Sequence, residues 1–180
     1  MSEIRVQELA HTNGTSALEI SSGGIITQPA KPAFQARGAA SWTDLTISFA
    51  TAAFSVEQVD VGGDYDHATN YAFTAPVAGV YYFYYSMYAA FISGQGDNAN
   101  YLESHLSLNN LSSDSVNDIM SGRQIFGYQN QGDYDGNMVG SCVVDLSVND
   151  TIRVKIKKSS SGFNARYYGN HSVFCGYLIG

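Results

Sequence analysis

An all-β sandwich of short strands is the fold class this sequence predicts, and three observations carry the expectation. The stretch Tyr71–Tyr88, YAFTAPVAGVYYFYYSMY, is dense in aromatic residues, which favour a pleated, half-buried strand over a helix. Elsewhere, short alternating runs are separated by turn residues, and the chain holds 18 Gly against 3 Pro. No heptad, helical array or solenoid period runs through the 180 residues. That length suits one domain and a short appendage. Hydrophobic residues make up 44% and aromatics 13%, enough for a sizeable core. Charged residues, at 14%, fall below the usual quarter, as in a subunit much of whose surface is covered in an assembly.

Residues 1–31 read as an N-terminal arm or linker. Ile4-Arg-Val6 and Ala17-Leu-Glu-Ile20 alternate, Thr12–Thr15 is a turn, Ser21–Gly24 is flexible, and Pro29 and Pro32 bracket a linker. So small a segment cannot bury a core of its own; it is either a loose tail or an arm ordered against a partner.

Residues 32–180 read as the sandwich. Residues 33–61 hold two or three short strands, with Trp42, Ile47, Phe49, Phe54 and Val56 as core contributors. A loop at Asp60–His67 leads to the central strand, where Pro76 and Gly79 mark a turn. Beyond it, Tyr81, Phe83, Tyr85 and Met87 share one face, and Tyr82, Tyr84 and Tyr88 the other. Aromatic residues on both faces imply that both are covered, by the chain's own core or, on one side, by a neighbouring subunit. Phe91–Asn100 is a loop, Tyr101–Leu111 a strand ending in the turn Asn109-Asn110, Ile119–Tyr128 a strand, and Gln129–Asn137 a polar loop. Met138–Leu146 and Thr151–Lys157 are expected to pair as a hairpin through Val148–Asp150, and Ala165–Tyr168 and Ser172–Leu178 as a second through Gly169-Asn170.

The motif Phe73-Thr-Ala-Pro-x-x-Gly79-x-Tyr81-x-Phe83-x-Tyr85 resembles the signature of the C1q-type globular domain, the complement/tumour-necrosis-factor jelly roll. Val173–Leu178 resembles that family's last strand, Pro32–Ala36 its first, and Asp145–Asp150 the turn before its penultimate strands, with Asn149 where Gly is usual. The resemblance covers about residues 32–180 and implies a C1q/TNF-like jelly-roll β-sandwich, preceded here by an extended N-terminal arm, that assembles as a homotrimer. On that reading Tyr82, Tyr84 and Tyr88 belong to the trimer interface and Phe73, Gly79, Tyr81, Phe83 and Tyr85 to the core motif. Met1–Val6, with Gly14-Thr-Ser-Ala17 and Gly24-Ile-Ile-Thr27, also looks like the start of bacteriophage virion proteins, tail and fibre components above all.

Several features remain to be weighed for chemistry. The tetrapeptide Gly-Asp-Tyr-Asp recurs at Gly63–Asp66 and Gly132–Asp135, so Asp64, Asp66, Asp133 and Asp135 are candidate oxygen ligands for Ca²⁺; against that, Asp and Gly simply make turns, and no EF-hand spacing is present. Some members of the resembled family hold Ca²⁺ in apical loops. No other cofactor is expected. Arg153, Lys155 and Lys157 alternate with Ile152, Val154 and Ile156, a basic stripe that is either a solvated face or a grip for an acidic ligand or glycan. The histidines are scattered without metal-like spacing, and no hydrolase, zincin or P-loop motif occurs, so no enzyme is expected.

A net charge of −7 argues against nucleic acid as a partner. Cys142 and Cys175 sit in apolar runs as buried thiols or a single bridge. The N-terminus lacks a secretory signal and no apolar stretch is long enough to span a membrane, so synthesis in a host cytoplasm is expected. The Asn-x-Ser/Thr patterns at Asn13, Asn110, Asn149 and Asn170 are then chance matches. Together these readings predict a trimeric structural protein of a phage virion, in capsid decoration, tail or fibre, bound to other virion proteins through residues 1–31. The alternative is a receptor- or glycan-binding module that attaches to the host through apical loops.

Overall fold

The computed structural model describes residues 6–92, 100–109, 118–125 and 134–180. They form fifteen β-strands and, among the described residues, no helix. Three strands lie in the arm: β1 (Glu8–Ala10), β2 (Ser16–Ile20) and β3 (Ile26–Thr27) make an antiparallel meander. Its first turn closes with Gly14 at φ 89° and the Asn13 side chain accepting the Thr15 amide at 3.0 Å. Its second closes with the Ser21 hydroxyl accepting the Ile25 amide at 3.0 Å. Leu9, Ile25 and Ile26 stay exposed on it.

The remaining strands form two sheets. The first runs β13 (Tyr134–Leu146), β10 (Gly79–Ile92), β15 (Asn164–Leu178), β4 (Ala33–Arg37), β7 (Val56–Val61), with β5 (Trp42–Asp44) also on β15. The second runs β12 (Asp118–Ile125), β11 (Tyr101–Leu108), β14 (Thr151–Lys158), β9 (Ala72–Thr74), β8 (Tyr65–Asp66), with β6 (Ala50–Thr51) also on β14. This is the jelly-roll β-sandwich that the alternating pattern requires.

The core lies between the sheets. Tyr81, Phe83, Tyr85, Met87 and Ala89 of β10 are all fully buried, facing Leu102, Leu106, Ile152, Val154 and Ile156 of the second sheet. Phe34 joins the rings together, with centroids 4.8 Å from Tyr65, 5.1 Å from Phe73 and 4.9 Å from Phe174. The buried phenols keep partners: the Tyr65 hydroxyl donates to the Phe54 carbonyl at 3.0 Å, and the Tyr81 hydroxyl donates to that of Val77 at 2.8 Å.

The structure corrects several expectations. Met138–Leu146 and Thr151–Lys157 are not a hairpin: β13 pairs with β10 and β14 with β11, so Ser147–Asp150 carries the chain from one sheet to the other. Each strand buries one face, and the two faces meet across the core instead of lying side by side. Ala165–Tyr168 and Ser172–Leu178 are one strand, both halves running along β10. Gly169 is there for closeness, not for a turn: a Cβ on it would stand 2.4 Å from the Ala39 carbonyl oxygen. Tyr134–Asn137, expected in a loop, opens β13; Phe91 and Ile92 end β10; Tyr65 and Asp66 form β8. Trp42 and Ile47 are exposed, and of the core contributors expected between residues 33 and 61 Phe54 alone is fully buried. The free thiols of Cys142 and Cys175 cannot bridge: Cys142 is the register partner of inward-facing Phe83, Cys175 that of outward-facing Tyr84.

Candidate functional site

Strand alternation that buries Tyr81, Phe83 and Tyr85 turns Tyr82 and Tyr84 to the opposite face of the first sheet. Register then fixes their neighbours. Val143, Tyr82, Tyr177, Ala33 and Val61 make one row across the sheet, and Ser141, Tyr84, Cys175, Gln35 and Val59 the next. Tyr82 and Tyr177 touch, with ring centroids 5.5 Å apart. Val143 is 62% exposed, Val139 53%, and Tyr177 and Val59 each 48%, so this face presents aliphatic and aromatic area to its surroundings. Tyr82 and Tyr84 themselves are half-buried, lying down among these neighbours. Burial pushes the Cys175 thiol up from its ordinary value.

Tyr88 sits apart. A register irregularity between Ser86 and Tyr88 separates it from the other two tyrosines. Its ring packs on Trp42 (5.9 Å) and His171 (5.4 Å), its hydroxyl donates to Asp135, and Trp42 in turn lies under the Arg166 guanidinium at 4.2 Å.

The acidic residues do not converge. Asp66 accepts hydrogen bonds from the Ala68, Thr69 and Asn70 amides, which hold its carboxyl below the ordinary range. Asp64 is pushed up, first by burial and then by Asp60, which itself accepts the Asp64 and Tyr65 amides. Asp135 belongs to the other sheet, and Asp133 lies outside the described residues. Among the described residues no group of three or more His, Cys, Asp and Glu is placed to hold a metal.

The basic stripe is covered, not solvated. Arg153, Lys155 and Lys157 lie on the outer face of the second sheet, opposite Ser107, His105 and Glu103 respectively. Phe49 lies over this face, 4.3 Å from His105 and 4.2 Å from the Lys157 Nζ. Burial pushes the Glu103 carboxyl up, but His105 and Lys157, the latter at 3.4 Å, outweigh it and hold the group low. Sequence reasoning missed Glu103, His105 and Ser107. The signal is present in the alternation of EsHlSl, whose polar set must face the alternate residues of a neighbouring strand.

A model of the C1q domain matches residues 33–179. The chain belongs to the C1q domain family.

Two solved structures share the fold of this C1q domain. The globular domain of zebrafish complement 1qA protein is 22% identical, with a TM-score of 0.55 over 83% of this chain and 98% of that one. Eiger TNF from S. frugiperda is 11% identical, with a TM-score of 0.60 over 84% and 94%. No curated protein sequence matches the chain. Within the C1q domain, the motif residues Phe73, Tyr81, Phe83 and Tyr85 are all fully buried. Gly79 leaves room for the chain end: a Cβ there would meet Leu178 Cδ1 at 2.9 Å.

Proposed function

We propose that this chain is a non-enzymatic structural module that assembles as a homotrimer, its subunits meeting through the outer face of the first sheet around Tyr82 and Tyr84. The observation that carries this reading is the exposed apolar face built by Val139, Val143, Tyr177 and Val59 around those tyrosines, larger in kind than the scattered apolar residues a soluble monomer shows. Domains of the C1q and TNF type typically form trimers, which supports it further. Tyr88 then extends the contact toward one end of the sheet. Residues 1–31 serve as the attachment segment, and the particle they attach to is a phage virion, a placement that rests on the N-terminal sequence resemblance alone.

Two experiments test the reading. Sedimentation equilibrium at micromolar concentration should return a trimer, and a monomer would refute the assembly. Deleting residues 1–31 should leave that trimer intact but abolish incorporation into particles; unchanged incorporation would refute the role given to the arm.

A further inference from the structure

The N-terminal meander is amphipathic. Register sets Leu9 opposite Leu18 and Ile20 opposite Ile26, and Leu18 and Ile20 lie two apart on β2, so these four aliphatic residues share one face. The other face sets Glu8 opposite Glu19, and Glu19 opposite Thr27. Among the described residues β1, β2 and β3 pair only with one another. Within one subunit Leu9 stays 50% exposed and Ile26 63%. A segment of this size cannot bury a core of its own, so its aliphatic face needs a cover. The opposed carboxylates keep the other face in water.

The root of the arm decides what lies within reach of that face. The Gln28 carbonyl accepts the Lys31 amide at 3.1 Å, closing a turn over Pro29-Ala30. The Lys31 Nζ donates to the Ile179 carbonyl at 2.9 Å, and the Leu178 amide donates to the Pro32 carbonyl at 3.0 Å. The linker is thus folded and held against the chain end, with little slack. Ala33 follows at once, in the cross-strand row of Tyr82 and Tyr177 that is given to the subunit contact. Three subunits meeting through that row bring three arm roots to it. A short linker then presents each arm to its neighbours at an effective concentration on the order of millimolar. The aliphatic face carries no charge, so copies of it meet without like-charge repulsion.

We propose that the aliphatic faces of three arms, each made of Leu9, Leu18, Ile20 and Ile26, pack against one another as a second contact of the homotrimer. The inference rests on the trimer reading above. The contact through the sandwich delivers the arms; the contact between arms is too small to hold three free chains and closes only after it. Glu8 and Glu19 of all three chains then form the outer surface of the attachment segment.

The test uses the full-length protein. Leu9→Cys, Leu18→Cys and Ile26→Cys are oxidised with copper phenanthroline beside Glu19→Cys, Thr27→Cys and the wild type, which controls for Cys142 and Cys175. Covalent dimers are expected from one or more of the aliphatic positions and not from the controls. Leu9→Ser with Ile26→Ser removes area that a lone subunit leaves in solvent, so the isolated chain should keep its stability. The dissociation constant of the trimer, followed by sedimentation over a dilution series, should instead rise at least about tenfold. Glu8→Gln with Glu19→Gln should leave it unchanged or lower. A monomeric wild type would overturn the trimer reading and this inference with it. A wild-type trimer with equal cross-linking from both faces, or with a dissociation constant indifferent to the serine variant, would overturn this inference alone. Arms that do not cross-link in the free trimer, but whose serine variant fails to enter particles, would give the face to a particle protein and overturn it too.

Discussion

Gly176 lies against the ring of Phe83: a Cβ on Gly176 would stand 2.4 Å from Phe83 Cδ1 and 2.9 Å from Phe34 Cε1. The two residues are register partners on β15 and β10, so the ring occupies the space that any other residue at 176 would need. Gly176→Ala should therefore destabilise by about 1–3 kcal/mol through overpacking. Phe83→Ala should cost about 3–5 kcal/mol by opening a large cavity. The double variant should cost less than the sum, because the new methyl falls into the space the ring leaves. Chemical denaturation of all four proteins checks this; strict additivity, or a Phe83→Ala cost below about 1 kcal/mol, would contradict the contact.

Truncating Tyr82 and Tyr84 together should dissolve the proposed trimer while sparing the subunit. Both rings lie on the outer face, and the inward set Tyr81, Phe83 and Tyr85 is untouched. By symmetry the loss repeats at each of the equivalent contacts. Circular dichroism should report a folded chain, and light scattering a monomer. An intact trimer of undiminished stability would mean that the subunits meet elsewhere.

Tyr85 and Ser104 tie the two sheets through a hydrogen bond of 2.7 Å between their hydroxyls. Tyr85→Phe leaves Ser104, 1% exposed, without that bond. A cost of about 1–3 kcal/mol is expected, and Tyr85→Phe with Ser104→Ala should recover part of it, since both partners are then apolar. A Tyr85→Phe variant as stable as the wild type would show that the bond contributes nothing.

Burial pushes the Cys142 thiol up to about 11 from its ordinary 9.0. The folded pKa is raised, so this group costs no stability below pH 9, where both states are protonated. From there upward the unfolded chain ionises first, and stability should fall as pH climbs toward 11. In a Cys175→Ser background, a thiol reagent at pH 8 should react with the native protein about 100-fold more slowly than with the unfolded chain, following the thiolate fraction. Equal rates would place the thiol in solvent.

What can be read from the sequence divides along a physical line. Alternation within one strand is local, so the order of residues in Tyr81–Tyr88 is enough to assign its two faces. Partner choice is not local. Val148–Asp150 carries ordinary turn residues whether the flanking strands pair or separate, and here they separate. Gly169-Asn170 likewise has the composition of a turn, yet Gly169 serves a close backbone crossing with Gly38 and Ala39. Trp42 has the size of a core residue, but its face is covered on one side by Arg166 and left 39% exposed. The basic stripe is visible as a stripe; that it lies under Phe49 opposite Glu103, His105 and Ser107 depends on which strand neighbours β14.

The placement of β15 between β10 and β4 carries a consequence for how the chain is made. Ala33 finds its register partner in Tyr177, and the outer edge of β10 is open until β15 lies along it. On the ribosome, the first sheet must wait for nearly the whole domain to emerge before its middle strand exists. During that interval the aromatic residues of β10 and the free edge of β4 stand ready to pair with other nascent chains. Closing so long a separation makes the last step slow as well as late. Neighbouring copies emerging from one message are thus both a hazard to the unfinished sheet and the nearest supply of partners for the finished one.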